Sequence, residues 1–169
     1  MALAAIALGS NLGDKLANLR DATRRLQRLA VAGGEFRCSL VYRSEPKHCL
    51  PDSPDFLNAV VELEYDGSAP DLLKATRRIE ESMGRLRGAE RNAPRTIDLD
   101  LLYVGEEQCT TDELELPHPR INERRFVLQP LVDIRPHMVL PGEMVTVAEQ
   151  LAILPHDEPP LEALEQGLN

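Results

Sequence analysis

Apolar residues recur along this chain with two different periods, and the switches between them mark its elements. Residues 2–8 form an unbroken apolar run ending at Gly9-Ser10-Asn11-Leu12-Gly13, a strand that runs into a turn. Leu16, Leu19, Leu26 and Leu29 follow at spacings of three and seven, one face of a helix over residues 14–31. Asn11 or Asp14 is placed to cap it, and Gly33-Gly34 to stop it. From Glu35 to Arg43 the period drops to two, with Phe36, Cys38, Leu40 and Tyr42 on one face. Pro46, Pro51 and Pro54 exclude regular structure over residues 44–55, and a loop of that length is more often functional than not. Phe56 to Tyr65 alternates again: Leu57, Ala59, Val61, Leu63 and Tyr65 oppose Phe56, Asn58, Val60, Glu62 and Glu64. Asp66-Gly67 turns the chain, and Ser68 caps a helix with Pro70 in its first turn. Leu72, Thr76, Ile79, Met83 and Leu86 form that helix's buried stripe, leaving Arg77, Glu80 and Arg87 off it. An apolar strand then runs to Val104.

Strand, helix, strand, strand, helix, strand is an α+β, ferredoxin-like order: an antiparallel sheet with helices packed on one face. The other face is free for a site, with Phe56, Asn58, Asp98 and Asp100 on it. Beyond Gly105, residues 106–115 read as a hairpin. Asn122 is placed to cap a short helix through Leu128 that stops near Pro130, and residues 145–154 read as helical. The acidic, proline-containing segment 155–169 is compatible with a short helix around Leu161–Leu164 or with a loose tail.

Composition narrows the class. With 169 residues, 43% hydrophobic and 28% charged, the chain is the size of one globular domain spanning 1–169. Its net charge of −9 argues against non-specific binding to nucleic acid or an anionic membrane. The charge is uneven, however: Lys74 to Arg95 carries seven basic residues against three acidic ones, which suits a small anion. Cys38, Cys49 and Cys109 are three, far apart, and lack a C-x-x-C spacing, so a reducing cytoplasm fits better than a disulfide framework or structural zinc. The apolar start has no basic residues before it and is too short to span a bilayer, and a monomer is the default state.

The chemistry concentrates between Arg85 and Val104. Asp98 and Asp100 are two apart on a strand, so both point to one side while Ile97, Leu99 and Leu101 anchor the other. Paired carboxylates suit Mg²⁺ with phosphates completing its shell, and arginine's fork of N–H donors matches phosphate oxygens. Arg91 and Arg95 flank Pro94, outside the helix, where helical ion pairing does not explain them. Phe56 and Phe126, two of only three phenylalanines, sit in polar segments, where they suit either stacking on a flat heterocycle or local packing. Residues alone therefore point to a metal–nucleotide site. They leave open an ordinary kinase, a sugar transferase that uses the same metal pair, and a binding module without chemistry. There is no G-x-x-x-x-G-K-[ST] phosphate loop.

Four stretches together carry a family resemblance: Ala7-Leu-Gly-Ser-Asn-Leu-Gly13, Asp55-Phe-Leu-Asn-Ala59, Pro94-Arg-Thr-Ile-Asp-Leu-Asp100, and Leu116-Pro-His-Pro-Arg120 followed by Arg124-Arg-Phe126. In order and spacing they resemble the 6-hydroxymethyl-7,8-dihydropterin pyrophosphokinases. The resemblance implies transfer of the β,γ-pyrophosphate of ATP to the pterin hydroxymethyl group, with release of AMP, in folate biosynthesis. It implies two Mg²⁺ ions on Asp98 and Asp100, and Arg85 and Arg95 as catalytic phosphate clamps. Glu80, Arg87, Asn92, His118 and Arg124 would line the ATP site; Phe56 and Phe126 would hold the pterin ring, with Asn58 and Ser44 reading its edge. The chain departs from the family pattern at Ser44-Glu45-Pro46, Asn92 and Pro119. Loops 44–55 and 86–95 are expected to act as lids.

Overall fold

The structure, a computed structural model, describes residues 1–46, 52–84, 94–157 and 160–169. Its central strand is β1 (Ala2–Ser10), apolar or small on both faces and therefore suited to being covered twice. After helix α1 (Lys15–Gln27) come two short strands, β2 (Phe36–Cys38) and β3 (Tyr42–Ser44), then β4 (Phe56–Tyr65), helix α2 (Ala69–Ser82) and β5 (Asp98–Val104). All pairings are antiparallel, with β1 between β5 and β4 and with β2 and β3 lying in succession along the far edge of β4. Counting β2 and β3 as one interrupted strand gives the ferredoxin-like arrangement expected from the sequence.

α1 and α2 cover one face. Leu19, Ala22 and Leu26 from α1, and Leu72 and Ile79 from α2, close over Ile6, Leu8, Val61, Leu63 and Leu101. Burying each such large side chain contributes roughly 1.5–3 kcal/mol. The opposite face is not left wholly free. Helices α3 (Arg125–Ile134) and α4 (Val147–Ile153) cover half of it, setting Val127, Leu128, Leu131 and Val147 against Ala5, Val60, Leu102 and Tyr103. The uncovered half, toward Gly9, Phe56 and Asp98, holds the candidate site.

Two breaks in strand alternation decide which side chains reach that half. Ser39 interrupts the first: its N–H donates to the Val60 carbonyl at 2.9 Å and its Oγ accepts the Val60 N–H at 2.8 Å. The expected phase is therefore lost. Leu40 is 52% exposed, and Val41 takes the core place. Tyr42 and Ser44 consequently share a face with their partners Asn58 and Phe56. The carboxylate of Asp133 on α3 holds this arrangement, accepting the Leu40 N–H at 3.2 Å and the Tyr42 hydroxyl at 2.8 Å. The second break is a register shift opposite Ala5 and Ile6, across which Leu102 and Tyr103 both face α3.

Three boundaries differ from expectation. α1 ends at Gln27, short of Gly33-Gly34, because the chain turns there to donate the Val31 N–H to the Glu64 carbonyl at 2.9 Å. Pro130 sits inside α3 rather than ending it; it removes one backbone donor, and the buried stripe from Val127 to Ile134 keeps the helix in place. Residues 106–116 do form a hairpin, β6 (Cys109–Thr110) with β7 (Glu115–Leu116). Residues 160–169 of the acidic tail are neither helix nor loose: β8 (Glu162–Ala163) pairs with β3. No helix among the described residues is long and apolar enough to cross a membrane.

Candidate active site

Asp98 and Asp100 lie on the edge strand β5, beside Gly9 and Ala7 of β1 in register. These small residues leave the sheet surface low between the carboxylates and Asn58, which pairs with Gly9 from the other side. Between the aspartates, the outward N–H of Leu99 has no strand to bond. Glu80, 7% exposed at the end of α2, accepts it through Oε2 at 2.9 Å. A residue that helical periodicity places off the buried stripe is thus buried, and it braces the strand that carries both carboxylates.

Arg95 is held from two directions. Its Nη1 meets Asp98 Oδ2 at 3.0 Å. Its backbone is clamped by Asn11, whose Oδ1 accepts the Arg95 N–H at 2.7 Å and whose N–H donates to the Arg95 carbonyl at 3.1 Å. Asn11 does not cap α1; Asp14 does, accepting the Ala17 N–H at 3.1 Å. Asn11 is therefore a site residue that local sequence reading misses. Its signals were a polar residue in the turn that ends an otherwise apolar strand and a place in the first stretch of the family resemblance, neither of which gave it a role.

Two cavities meet at the aspartates. The larger, about 640 Å³, is lined by Arg77, Glu80, Asp98, Asp100 and His118 among others. The smaller, about 260 Å³, is lined by Ser44, Phe56, Asn58, Arg95, Arg124 and Phe126, with Ala7 and Gly9 in its wall. Asp98 and Asp100 line both. Of the residues expected around ATP, Glu80 and His118 stand in the larger cavity and Arg124 in the smaller. All four residues expected around the pterin stand in the smaller. Arg85, Arg87 and Asn92 lie outside the described residues, as do most of the two loops expected to act as lids. Cys49 lies there too; Cys38 and Cys109 are free and partly buried.

Electrostatics sort these groups further. Burial, then Arg124 and Arg120, push the His118 imidazole down to about 4, with Asp98 pulling the other way. His118 is therefore neutral near pH 7. Its Nδ1 accepts the Arg120 N–H at 3.2 Å, so the proton rests on Nε2 as a donor. Arg124 lies over the Phe126 ring, Cζ to centroid 5.6 Å, a cation–π contact that fixes one wall of the smaller cavity. Asn58, 4% exposed, donates through Nδ2 to Ser44 Oγ at 2.7 Å, tying the two polar groups of that cavity together.

A ferredoxin-like sheet carrying an acidic pair between two cavities, flanked by arginines, suits a phosphoryl-group transferase. The family can be named. Residues 5–136 match the model of 7,8-dihydro-6-hydroxymethylpterin-pyrophosphokinase (HPPK), and the chain belongs to that family. It is 41% identical over 147 residues to the 2-amino-4-hydroxy-6-hydroxymethyldihydropteridine pyrophosphokinase of Synechocystis, covering 86% of this chain and 73% of that protein. It is 40% identical over 129 residues to a folate synthesis bifunctional protein of Arabidopsis thaliana, covering 76% of this chain and 26% of that one. The folic acid synthesis protein FOL1 of Dictyostelium discoideum is 37% identical over 160 residues, 92% of this chain and 24% of its own length. The chain thus spans about a quarter of those two longer relatives. Wild-type Plasmodium falciparum HPPK-DHPS shares the fold, with a TM-score of 0.67 at 12% identity over 89% of this chain and 44% of that one.

Proposed function

We propose that the larger cavity takes ATP and the smaller takes 6-hydroxymethyl-7,8-dihydropterin. The observation that carries this reading is the shared wall: Asp98 and Asp100 line both cavities. A pyrophosphate transfer needs that geometry, because the hydroxymethyl oxygen of one substrate must meet the β-phosphorus of the other. The oxygen–phosphorus bond forms as the bond to the α-phosphate oxygen breaks, and AMP leaves.

Each side chain then has a role. Phe56 and Phe126 hold the flat ring over the low floor of Gly9 and Ala7, and Asn58 and Ser44 read its polar edge. Arg95, aimed by Asp98 and Asn11, meets charge developing on the transferred phosphates, as Arg85 would; Arg124 adds positive charge at the cavity junction. His118 offers a neutral Nε2–H donor to the nucleotide, and Glu80 keeps Leu99, and so both aspartates, in line. Among the described residues no cluster of three or more His, Cys, Asp or Glu side chains could cage a metal, and two carboxylates leave coordination positions open for phosphate and water. That donor set fits Mg²⁺, and two such ions on Asp98 and Asp100 would neutralise phosphate charge and acidify the attacking hydroxyl. We read the chain as one domain over 1–169, monomeric and cytoplasmic, with small-molecule partners only. Its net charge of −9 supports a small-molecule partner over nucleic acid or an anionic membrane.

The test is the nucleotide product. Incubation with ATP, Mg²⁺ and the hydroxymethyl pterin should release AMP; ADP as the product, or no turnover, would overturn the assignment. Asp98→Ala and Asp100→Ala should each lower turnover roughly a hundredfold or more. Stability should change by no more than about 1 kcal/mol, since both side chains point away from the core.

A further inference from the structure

The family match ends at residue 136, yet the chain beyond it returns to β3, the strand that carries Ser44. Residues 160–169 cross the outer edge of the sheet beside β3. Ala163 and Glu162 pair with Tyr42 and Arg43, and the Leu164 N–H donates to the Val41 carbonyl at 2.8 Å. The end of the segment is tied down twice: Gly167 O accepts from Arg20 Nε at 2.9 Å, and Leu168, 5% exposed, sits in the main core. The Arg43–Glu162 ion pair, 3.3 Å long and solvent-exposed, adds little by itself. The buried leucine is the anchor.

β3 needs such a partner. It is three residues long, below the usual strand length, and without β8 it would be an edge strand with alternate backbone groups unpaired. Its other edge carries the smaller cavity: Ser44 pairs with Phe56, Tyr42 pairs with Asn58, and Asn58 Nδ2 bonds Ser44 Oγ. β5, with the aspartates, is at the opposite edge of the sheet.

We propose that residues 160–168 are a strap that positions β3 and, through Ser44 and Asn58, sets the affinity of the smaller cavity for the pterin. The strap leaves the nucleotide side untouched. This rests on the assignment of that cavity to the pterin, and Asn58→Ala serves as the reference for it. Removing residues 160–169 should raise KM for the pterin about five- to tenfold while KM for ATP stays within about twofold. Leu164→Pro, which deletes the N–H donated to Val41, should do the same in a chain of full length. In the unaltered protein, linkage requires the reverse effect, so a bound pterin analogue should slow exchange of the Leu164 amide. An unchanged pterin KM in both variants, with Asn58→Ala raising it, would overturn the strap. Should neither variant fold, unchanged Leu164 exchange on ligand binding would overturn it equally. Unchanged pterin affinity in Asn58→Ala would instead sink the assignment of the cavity.

Discussion

Asn11 illustrates how much one amide can control. It is 1% exposed and bonds the backbone of Arg95 in both directions, three residues before Asp98. Truncating it would leave the Arg95 N–H without that acceptor and let the arginine drift from the aspartate it faces. Displacement of about 1 Å at such a group can cost on the order of a hundredfold in rate. Asn11→Ala should therefore lower kcat roughly ten- to a hundredfold with KM for the pterin little altered. In an Arg95→Ala background the same substitution should cost about twofold or less, since the group it positions is gone. Equal losses in both backgrounds, measured by steady-state kinetics, would show that Asn11 acts on something other than Arg95. The partnership was not legible in the sequence, because its members are 84 residues apart and the turn residue looks like a helix cap. Asp98 and Asp100 were legible for the opposite reason: a strand's period of two puts both on one side whatever the tertiary context.

Among the elements, β1, β4 and α2 were readable because each carries a long, unbroken pattern with a recognisable start. β2 and β3 were not, since Ser39 and Leu40 continue the alternation in sequence while Asp133 of α3 breaks it in space. α3 was read too short because proline weighs heavily in local propensity and the sheet surface beneath it does not enter local reading. What binds α3 to that sheet includes a polar cluster as well as its apolar stripe. Glu62 on β4, 1% exposed, accepts the Tyr103 hydroxyl from β5 and the Arg135 Nε at 3.0 Å from the end of α3. Arg135 Nη2 lies 2.8 Å from Glu62 Oε1 but makes no aligned hydrogen bond, so that contact is mainly electrostatic. A buried carboxylate costs several kcal/mol to desolvate, and the cluster is stable only while its partners stay. Arg135→Met alone should cost about 3–5 kcal/mol in urea unfolding. The joint variant Glu62→Leu, Tyr103→Phe, Arg135→Met should recover most of that, because the burial cost disappears with the charge. A single variant as stable as the unaltered chain would mean that Glu62 keeps access to solvent and does not depend on Arg135.

At the scale of the molecule, one sheet face is divided between a core and a site, and the site is divided again by its two aspartates. Asp98 and Asp100 form the boundary of both cavities, so neither cavity has an electrostatic environment of its own. On the proposed assignment, an unneutralised acidic wall would repel a polyphosphate on one side and on the other would face the hydroxymethyl group that has to approach it. Asp98 and Asp100 would hold any cations that accompany the nucleotide, and the charge of that wall would then change for both occupants. If the cavities take the substrates as proposed, binding of the two should therefore be coupled, and any such coupling is reciprocal. In the presence of Mg²⁺ and a non-hydrolysable ATP analogue, calorimetry should show the pterin binding about tenfold tighter or more than to the protein alone. The analogue should gain the same factor from saturating pterin. Chelating the metal should abolish the effect, and Asp100→Asn should shrink it while leaving Phe56 and Phe126 to bind the ring weakly. Equal pterin affinity with and without the metal–nucleotide would mean that the cavities are electrostatically independent, and that the aspartates serve only one of them.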